Sequence, residues 1–317
     1  MLLRNKSNKY FKFFYQLSAL NIKNYHTPVL LQTAVDLLDV QKNCWYIDAT
    51  IGFGGHTLEV LKRGGKVIGI DQDSQLLAIA KDRLKQQFPE KNFVLIHANF
   101  VDLEKISAPL GHQSKGIIFD LGVSSFQLSE PGRGFSFQRS ETLDMRMNRL
   151  AQVATALQLV NGLYKLELER LLINYSQEPL AAKIAQAIVS TRQKKPIKTT
   201  LELAELVKNC YQKNYRRPSL MHPATKTFQA LRIAVNDELN NLDQGLDQAI
   251  KILSPNSRIV VISFHSLEDK IIKQKFISWS KSGLGKIITQ KPIVPEEQEL
   301  SQNPSSRSAK LRAFLKL

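Results

Sequence analysis

The sequence predicts an α/β fold in which a parallel sheet is interrupted by an all-helical block. Three observations carry that expectation. Short apolar runs alternate with helical patterns between residues 29 and 120. The alternation stops between residues 126 and 221, where only helical periodicity is found. A further apolar run, Arg258–Ser263 (RIVVIS), then resumes it.

Taken in order, residues 30–38 have the three- and four-residue apolar spacing of a helix, and residues 44–47 read as a strand closing on Asp48. A glycine turn at 52–55 leads into a helix over 56–63. Residues 66–70 form a second strand ending at Asp71, and an amphipathic helix over 76–88 stops ahead of Pro89. Residues 93–97 give a third strand, and 116–119 a fourth ending at Asp120. Parallel strands with helical crossovers fit this order. In the block that follows, 163–175 and 180–189 are helical, and Thr199-Thr200-Leu201-Glu202 is a capping box ahead of a helix over 203–210. One helix is expected over 223–239, with Pro223 in its first turn. The expected division is a basic extension 1–25, a sheet domain made of 26–125 and 223–317, and a helical insert 126–222.

The 317 residues suffice for two domains, and 43% apolar with 23% charged residues is a soluble globular composition. No apolar stretch reaches the roughly 18 residues that span a bilayer. Cys44 and Cys210 are too few for a disulfide framework or a structural zinc cluster, so a reducing, cytoplasmic setting without structural metal is expected. Lys and Arg outnumber Asp and Glu by 44 to 28, a formal net charge of +16. Such an excess attracts phosphate backbones and points to a nucleic-acid partner. The first 25 residues contain Arg4, Lys6, Lys9, Lys12 and Lys23 and no acid. They fit a mitochondrial or plastid transit peptide, and equally a cytoplasmic arm that touches RNA.

Ligands of open parallel sheets bind at the carboxyl ends of the strands, where Asp48, the 52–55 turn, Asp71, Phe100 and Asp120 fall. Glycines let backbone approach a ligand closely. The turn is not G-x-G-x-x-G, which argues against a dinucleotide pyrophosphate. Asp71 ends the second strand nineteen residues past Gly52, where a carboxylate accepts both ribose hydroxyls of an adenosine. Phe100 is placed either to stack on adenine or to fill the core. Asp120 is a carboxylate closing an apolar strand, a setting that favours function over structure. His56, and His265 with Ser266, serve equally as helix starts or as site residues.

At these residues the chain resembles the bacterial 16S rRNA cytosine-N4 methyltransferases of the RsmH/MraW type. The shared motifs are HTPVLL from His26, DAT through His56, DLGVSS from Asp120, RGFSF from Arg133, LDMRM from Leu143, HPAT from His222 and SFHSLED from Ser263. The resemblance implies a Rossmann-like class I methyltransferase sheet with an inserted helical domain and S-adenosylmethionine as cofactor. It implies contacts to that cofactor from Gly54, Gly55, His56, Asp71, Phe100, Asp120 and Gln127. Its substrate would be a decoding-site cytosine on assembled small-subunit rRNA. Thr33, Phe126, the 175–179 stretch and the apolar end 312–317 depart from the family pattern. No oligomeric state follows from any of this.

The expected reaction is methylation of an exocyclic amine whose lone pair is delocalised into the base. A hydrogen-bond acceptor aimed at its N–H favours the transition state, and Asp120, Ser124 and Ser125 are the candidates. Lys194, Lys195, Lys198, Arg216 and Arg217, together with Arg192, are the candidate RNA clamp. Two rivals stand beside this reading: a DNA amino-methyltransferase, whose Pro-Pro tetrad Asp120-Leu121-Gly122-Val123 does not match, and a weakly catalytic RNA-binding assembly factor.

Overall fold

The apolar runs pair into a seven-stranded sheet. Its strands are β1 (Trp45–Asp48), β2 (Lys66–Asp71), β3 (Phe93–His97), β4 (Ser114–Asp120), β5 (Arg258–Ser263), β6 (Gly285–Ile287) and β7 (Lys310–Lys316), in the order β3-β2-β1-β4-β5-β7-β6. β1 to β5 are parallel, and β7 runs antiparallel between β5 and β6. The computed structural model describes residues 27–108, 114–150, 154–215 and 222–317. The extension 1–25, and Arg216 and Arg217, lie outside the described residues.

In chain order the helices are α1 (Leu31–Leu38), α2 (Gly55–Lys62), α3 (Ser74–Lys85), α4 (Leu103–Ser107), α5 (Ser125–Ser129), α6 (Ala156–Gly162), α7 (Lys165–Ser176), α8 (Ala181–Arg192), α9 (Thr200–Asn214), α10 (Thr225–Asn236), α11 (Glu238–Ile252), α12 (Ser266–Lys281) and α13 (Glu297–Gln302). Strand alternation divides the core. Tyr46, Val67, Ile118, Val260 and Ile262 face α1, α2 and α3, whereas Ile47, Ile68, Ile117, Phe119, Ile259 and Val261 face α4, α11 and α12. Both faces are covered, which is why these strands read as continuous apolar runs. A third cluster, from Phe135 to Val235, is the core of the helical block. Among the described residues that block holds no strand, only the isolated bridge Thr142–Thr199. The expected capping box is formed: Thr199 accepts from the Glu202 N–H at 3.2 Å. No described helix is long and apolar enough to cross a membrane.

The structure corrects one expectation. The single helix over 223–239 is two, because Asp237 takes a left-handed conformation (φ 50°) between α10 and α11. α10 buries Phe228, Leu231 and Val235 in the helical block, while α11 buries Leu242, Leu246 and Ala249 on the sheet. A turn is needed because the two faces point at different cores. The apolar C-terminal segment is an interior strand, β7, with Phe314 fully buried and Arg312 paired to Asp269 at 2.6 Å. His265 does start a helix: it caps α12 reciprocally with Glu268.

Candidate functional site

The strand order reverses between β1 and β4, and there the carboxyl ends of the strands open a cleft of about 770 Å³. The glycine turn forms its floor. Gly52 (φ 51°) lines the cleft, and a side chain there would have only the Thr50 carbonyl within 4 Å, at 3.9 Å. Gly54 (φ 76°) faces the other way, toward Leu84 and Ala80 of α3, so its part is to turn the backbone. A Cβ on Gly55 would collide with the Pro28 ring, which shows that residues 27–29 lie directly across the turn. That crossing segment is clasped from far along the chain. The Leu30 N–H donates to Glu299 at 2.7 Å, and the Asn303 amide donates to the Thr27 carbonyl at 3.0 Å. Leu30 itself is left-handed (φ 51°), a conformation that persists only where its surroundings impose it.

Asp48 and Asp71 stiffen the floor. Asp48 accepts the Thr57 hydroxyl at 2.6 Å, and burial pushes its carboxyl up to about 6. Asp71 accepts the Gly52 N–H at 2.9 Å and the Asp73 N–H at 2.8 Å. Burial pushes Asp71 up to about 7, with Asp73 and Asp48 adding repulsion against those two bonds. Phe100 lines the cleft with its ring edge-on to Phe119 at 5.5 Å. Gly245 of α11 makes that position possible, since a Cβ there would lie 2.5 Å from the Phe100 ring.

Asp120 closes β4 beneath the cleft. Its Oδ2 lies 3.6 Å from His56 Nδ1, and its buried Oδ1 has no hydrogen-bond partner. Burial, then the charges of Asp48 and Glu268, hold this carboxyl well above the usual range. His56 is buried with Nε2 3.2 Å from the Val29 carbonyl, and burial lowers it to about 4. A neutral ring that donates Nε2–H to Val29 leaves the Nδ1 lone pair facing Asp120.

A strap formed by residues 130–149 reaches the cleft through Met147. Its anchor is Arg133, buried with Asp73. Arg133 donates to Asp73 at 2.5 Å, to Gln75 at 2.8 Å and to the Met147 carbonyl at 3.2 Å. Asp73 also caps α3 through the Gln75 N–H and accepts Gln127 Nε2 at 2.9 Å. The Gln127 carbonyl oxygen in turn accepts the Ser124 N–H at 3.0 Å.

Of the sequence-expected residues, Gly55, His56, Asp71, Phe100, Asp120, Ser124, Ser125 and Gln127 line one cleft, and Gly54 supports it from behind. Lys194, Lys195 and Lys198 are exposed away from its lining, with Lys195 paired to Glu202 at 3.1 Å. Arg192 is spent on the Val160 and Leu163 carbonyls at the end of α6. Sequence reasoning missed the Asp73–Arg133 pair and Arg232, which also lines the cleft. Asp73 was findable as an N-cap ahead of Ser74. Arg133 and Arg232 carry no local signal.

A 3-2-1-4-5-7-6 sheet with an antiparallel β7 and a glycine-floored cleft at its switch point defines a class I methyltransferase. The chain belongs to the MraW methylase family, whose model matches residues 23–317. Among its relatives is a ribosomal RNA small subunit methyltransferase H of Sulfurihydrogenibium sp. (strain YO3AOP1), 44% identical over 290 residues, or 90% of this chain and 97% of the relative. The enzyme of the same description from Sulfurihydrogenibium azorense is 45% identical over 92% of this chain and 99% of its own length. Among solved structures, an rRNA methylase from Streptococcus thermophilus aligns over 93% of this chain and 99% of its own, at 12% identity and a TM-score of 0.44.

The cofactor of a methylase with this fold is S-adenosylmethionine. The cleft fits it: Gly52 leaves room beside the floor, Asp71 presents a carboxylate at the end of β2, and Asp120 Oδ1 awaits a partner. Asp71→Ala is expected to weaken cofactor binding by about 1–3 kcal/mol, the cost of a lost hydrogen bond to a charged group. The sign of the pH effect follows from the raised carboxyl. Below about 7 the wild-type Asp71 is protonated and accepts less well, so affinity should rise as pH passes upward through about 7. Calorimetry across that range should lose this rise in Asp71→Ala; equal affinity in the two proteins would remove Asp71 from the cofactor site.

Proposed function

We propose that the chain methylates the exocyclic N4 amine of a cytosine at the decoding site of small-subunit rRNA. The observation that carries this reading is the Asp120 carboxylate, which lines the cofactor cleft and has no hydrogen-bond partner on Oδ1. Bound S-adenosylmethionine supplies a methyl group already activated on its sulfonium. The Asp120 carboxylate, in its ionised form, accepts an N–H of the amine, which favours a pyramidal nitrogen, and takes that proton as the nitrogen is methylated. His56 Nδ1 lies 3.6 Å from Oδ2 and flanks the carboxylate on that side. Ser124 caps α5 with its hydroxyl oxygen, and the Ser125 hydroxyl is left to steady the base.

The choice of atom is supported by what the cleft lacks. Methylating a pyrimidine ring carbon normally requires a cysteine nucleophile. Cys44 precedes β1 at the far end of the sheet and Cys210 lies on α9; neither lines the cleft. The choice of substrate is supported by the relatives, which are small-subunit rRNA methyltransferases along nearly their whole length, and by the net charge of +16. The helical insert 126–222 would hold the RNA, with the exposed Lys194, Lys195 and Lys198 on its backbone and the target base turned out of its stack. The sheet domain would hold the cofactor, and α10, although it follows the expected boundary at 222, packs with the insert.

The product decides. Purified protein, isotope-labelled S-adenosylmethionine and small-subunit particles should yield label in N4-methylcytidine after digestion to nucleosides. Label in 5-methylcytidine, or transfer to DNA alone, would overturn the reading.

A further inference from the structure

The cleft carries one cation that the cofactor reading leaves without a task. Arg232, near the end of α10, lines the cleft with Ser124, Ser125 and Phe264. Glu238, at the start of α11, holds it by a fork, Nε and Nη2 each donating at 2.8 Å. Only 16% of the Arg232 side chain and 10% of Glu238 are exposed. The fork uses one long edge of the guanidinium. Its short edge, Nη1 and the second Nη2 hydrogen, has no acceptor among the described residues. Glu238, His265 and Glu268 also bring ligand-type atoms within 4.8 Å of one another, but the positive charge beside them is already Arg232.

We propose that Arg232 reads the target base, its short edge donating two parallel N–H bonds to the adjacent O2 and N3 acceptors of cytosine. The inference rests on the cytosine reading above. A guanidinium held by a carboxylate fork is rigid, and its paired donors match paired acceptors in one plane. Cytosine presents O2 and N3 side by side, with the N4 amine next to N3 and left free for Asp120. Uracil has an N–H at position 3, which would meet a donor with a donor. The same contact therefore selects the base and orients the amine. Glu238 is a positioning residue, since it would act on the base only through its fork on Arg232.

The test uses small-subunit particles reconstituted with cytidine at the target position, or with 3-deazacytidine, in which C–H replaces N3. Arg232→Lys keeps the charge but removes the paired edge. On cytidine its kcat/KM should fall roughly ten- to a hundredfold, the range of a lost bidentate base contact. Wild type should lose a similar factor on 3-deazacytidine. The two losses should not multiply when combined, because they remove the same contact. Unchanged cofactor affinity in Arg232→Lys verifies that it folds, and Glu238→Gln, which frees the guanidinium without removing it, should show a smaller loss with the same failure to multiply. If the losses do multiply, the proposal is overturned, and a salt slope of particle binding lowered by about one in the charge-removing Arg232→Gln would place the arginine on a phosphate instead. Absence of N4-methylcytidine with wild type on cytidine would overturn both readings, and so is distinguishable from failure of Arg232 alone.

Discussion

Asp120→Asn should lower the methyl-transfer rate by roughly 10²–10³-fold, the usual cost of removing one aimed polar group from a transition state. The amide keeps the size of the side chain, but it cannot take the amine proton. Cofactor affinity separates the two tasks open to this residue. If Asp120 faces the substrate, the rate constant for a single turnover falls while the dissociation constant for S-adenosylmethionine stays nearly the same. If it faces the cofactor, the dissociation constant carries the loss. The pH profile gives a second readout. Burial with Asp48 and Glu268 nearby holds the carboxyl protonated above its ordinary range. Only the ionised form takes a proton, so the wild-type rate should climb with rising pH, and that limb should vanish in Asp120→Asn. An unchanged single-turnover rate would end the catalytic assignment.

Arg133→Met is expected to cost about 3–5 kcal/mol of stability, the penalty for leaving one member of a buried ion pair behind. Arg133 is 1% and Asp73 2% exposed, so water does not replace the lost partner. The strap should also loosen, because the carbonyls of Arg146 and Met147 lose the same donor. Urea unfolding would measure the first effect, and cofactor affinity in the folded protein the second, since Met147 and Gln127 line the cleft. Adding Asp73→Asn should restore part of the stability by removing the orphaned charge while keeping a cap on α3. A loss below about 1 kcal/mol would show that the pair behaves like an exposed one.

How far these features could be read from sequence depends on the range of the interaction behind each. β1 to β5 were legible because strands buried on both faces are unbroken apolar runs. Asp48, Asp71 and Asp120 stood out as the polar residues ending such runs. β7 was hidden because Lys310, Arg312 and Lys316 break its pattern, and only a partner such as Asp269 makes an interior Arg312 tolerable. The turn at Asp237 was hidden because α10 and α11 together read as one periodic segment, although they serve different cores. Arg133 meets Asp73 across 60 positions, and no local pattern marks such a pair.

The clasp over the glycine turn makes one wall of the site depend on chain segments far apart in sequence. The Leu30–Glu299 and Thr27–Asn303 bonds join positions 269 and 276 residues apart. Contacts of that separation are slow to form, because the chain entropy of closing so long a loop is lost before any contact repays it. Until the clasp closes, the turn has a floor but no roof. A ligand that recognises only the closed form adds to the stability of the finished molecule and not to that of its precursors. A cofactor that required the closed clasp would therefore stabilise the folded chain by an amount that grows with the logarithm of its free concentration.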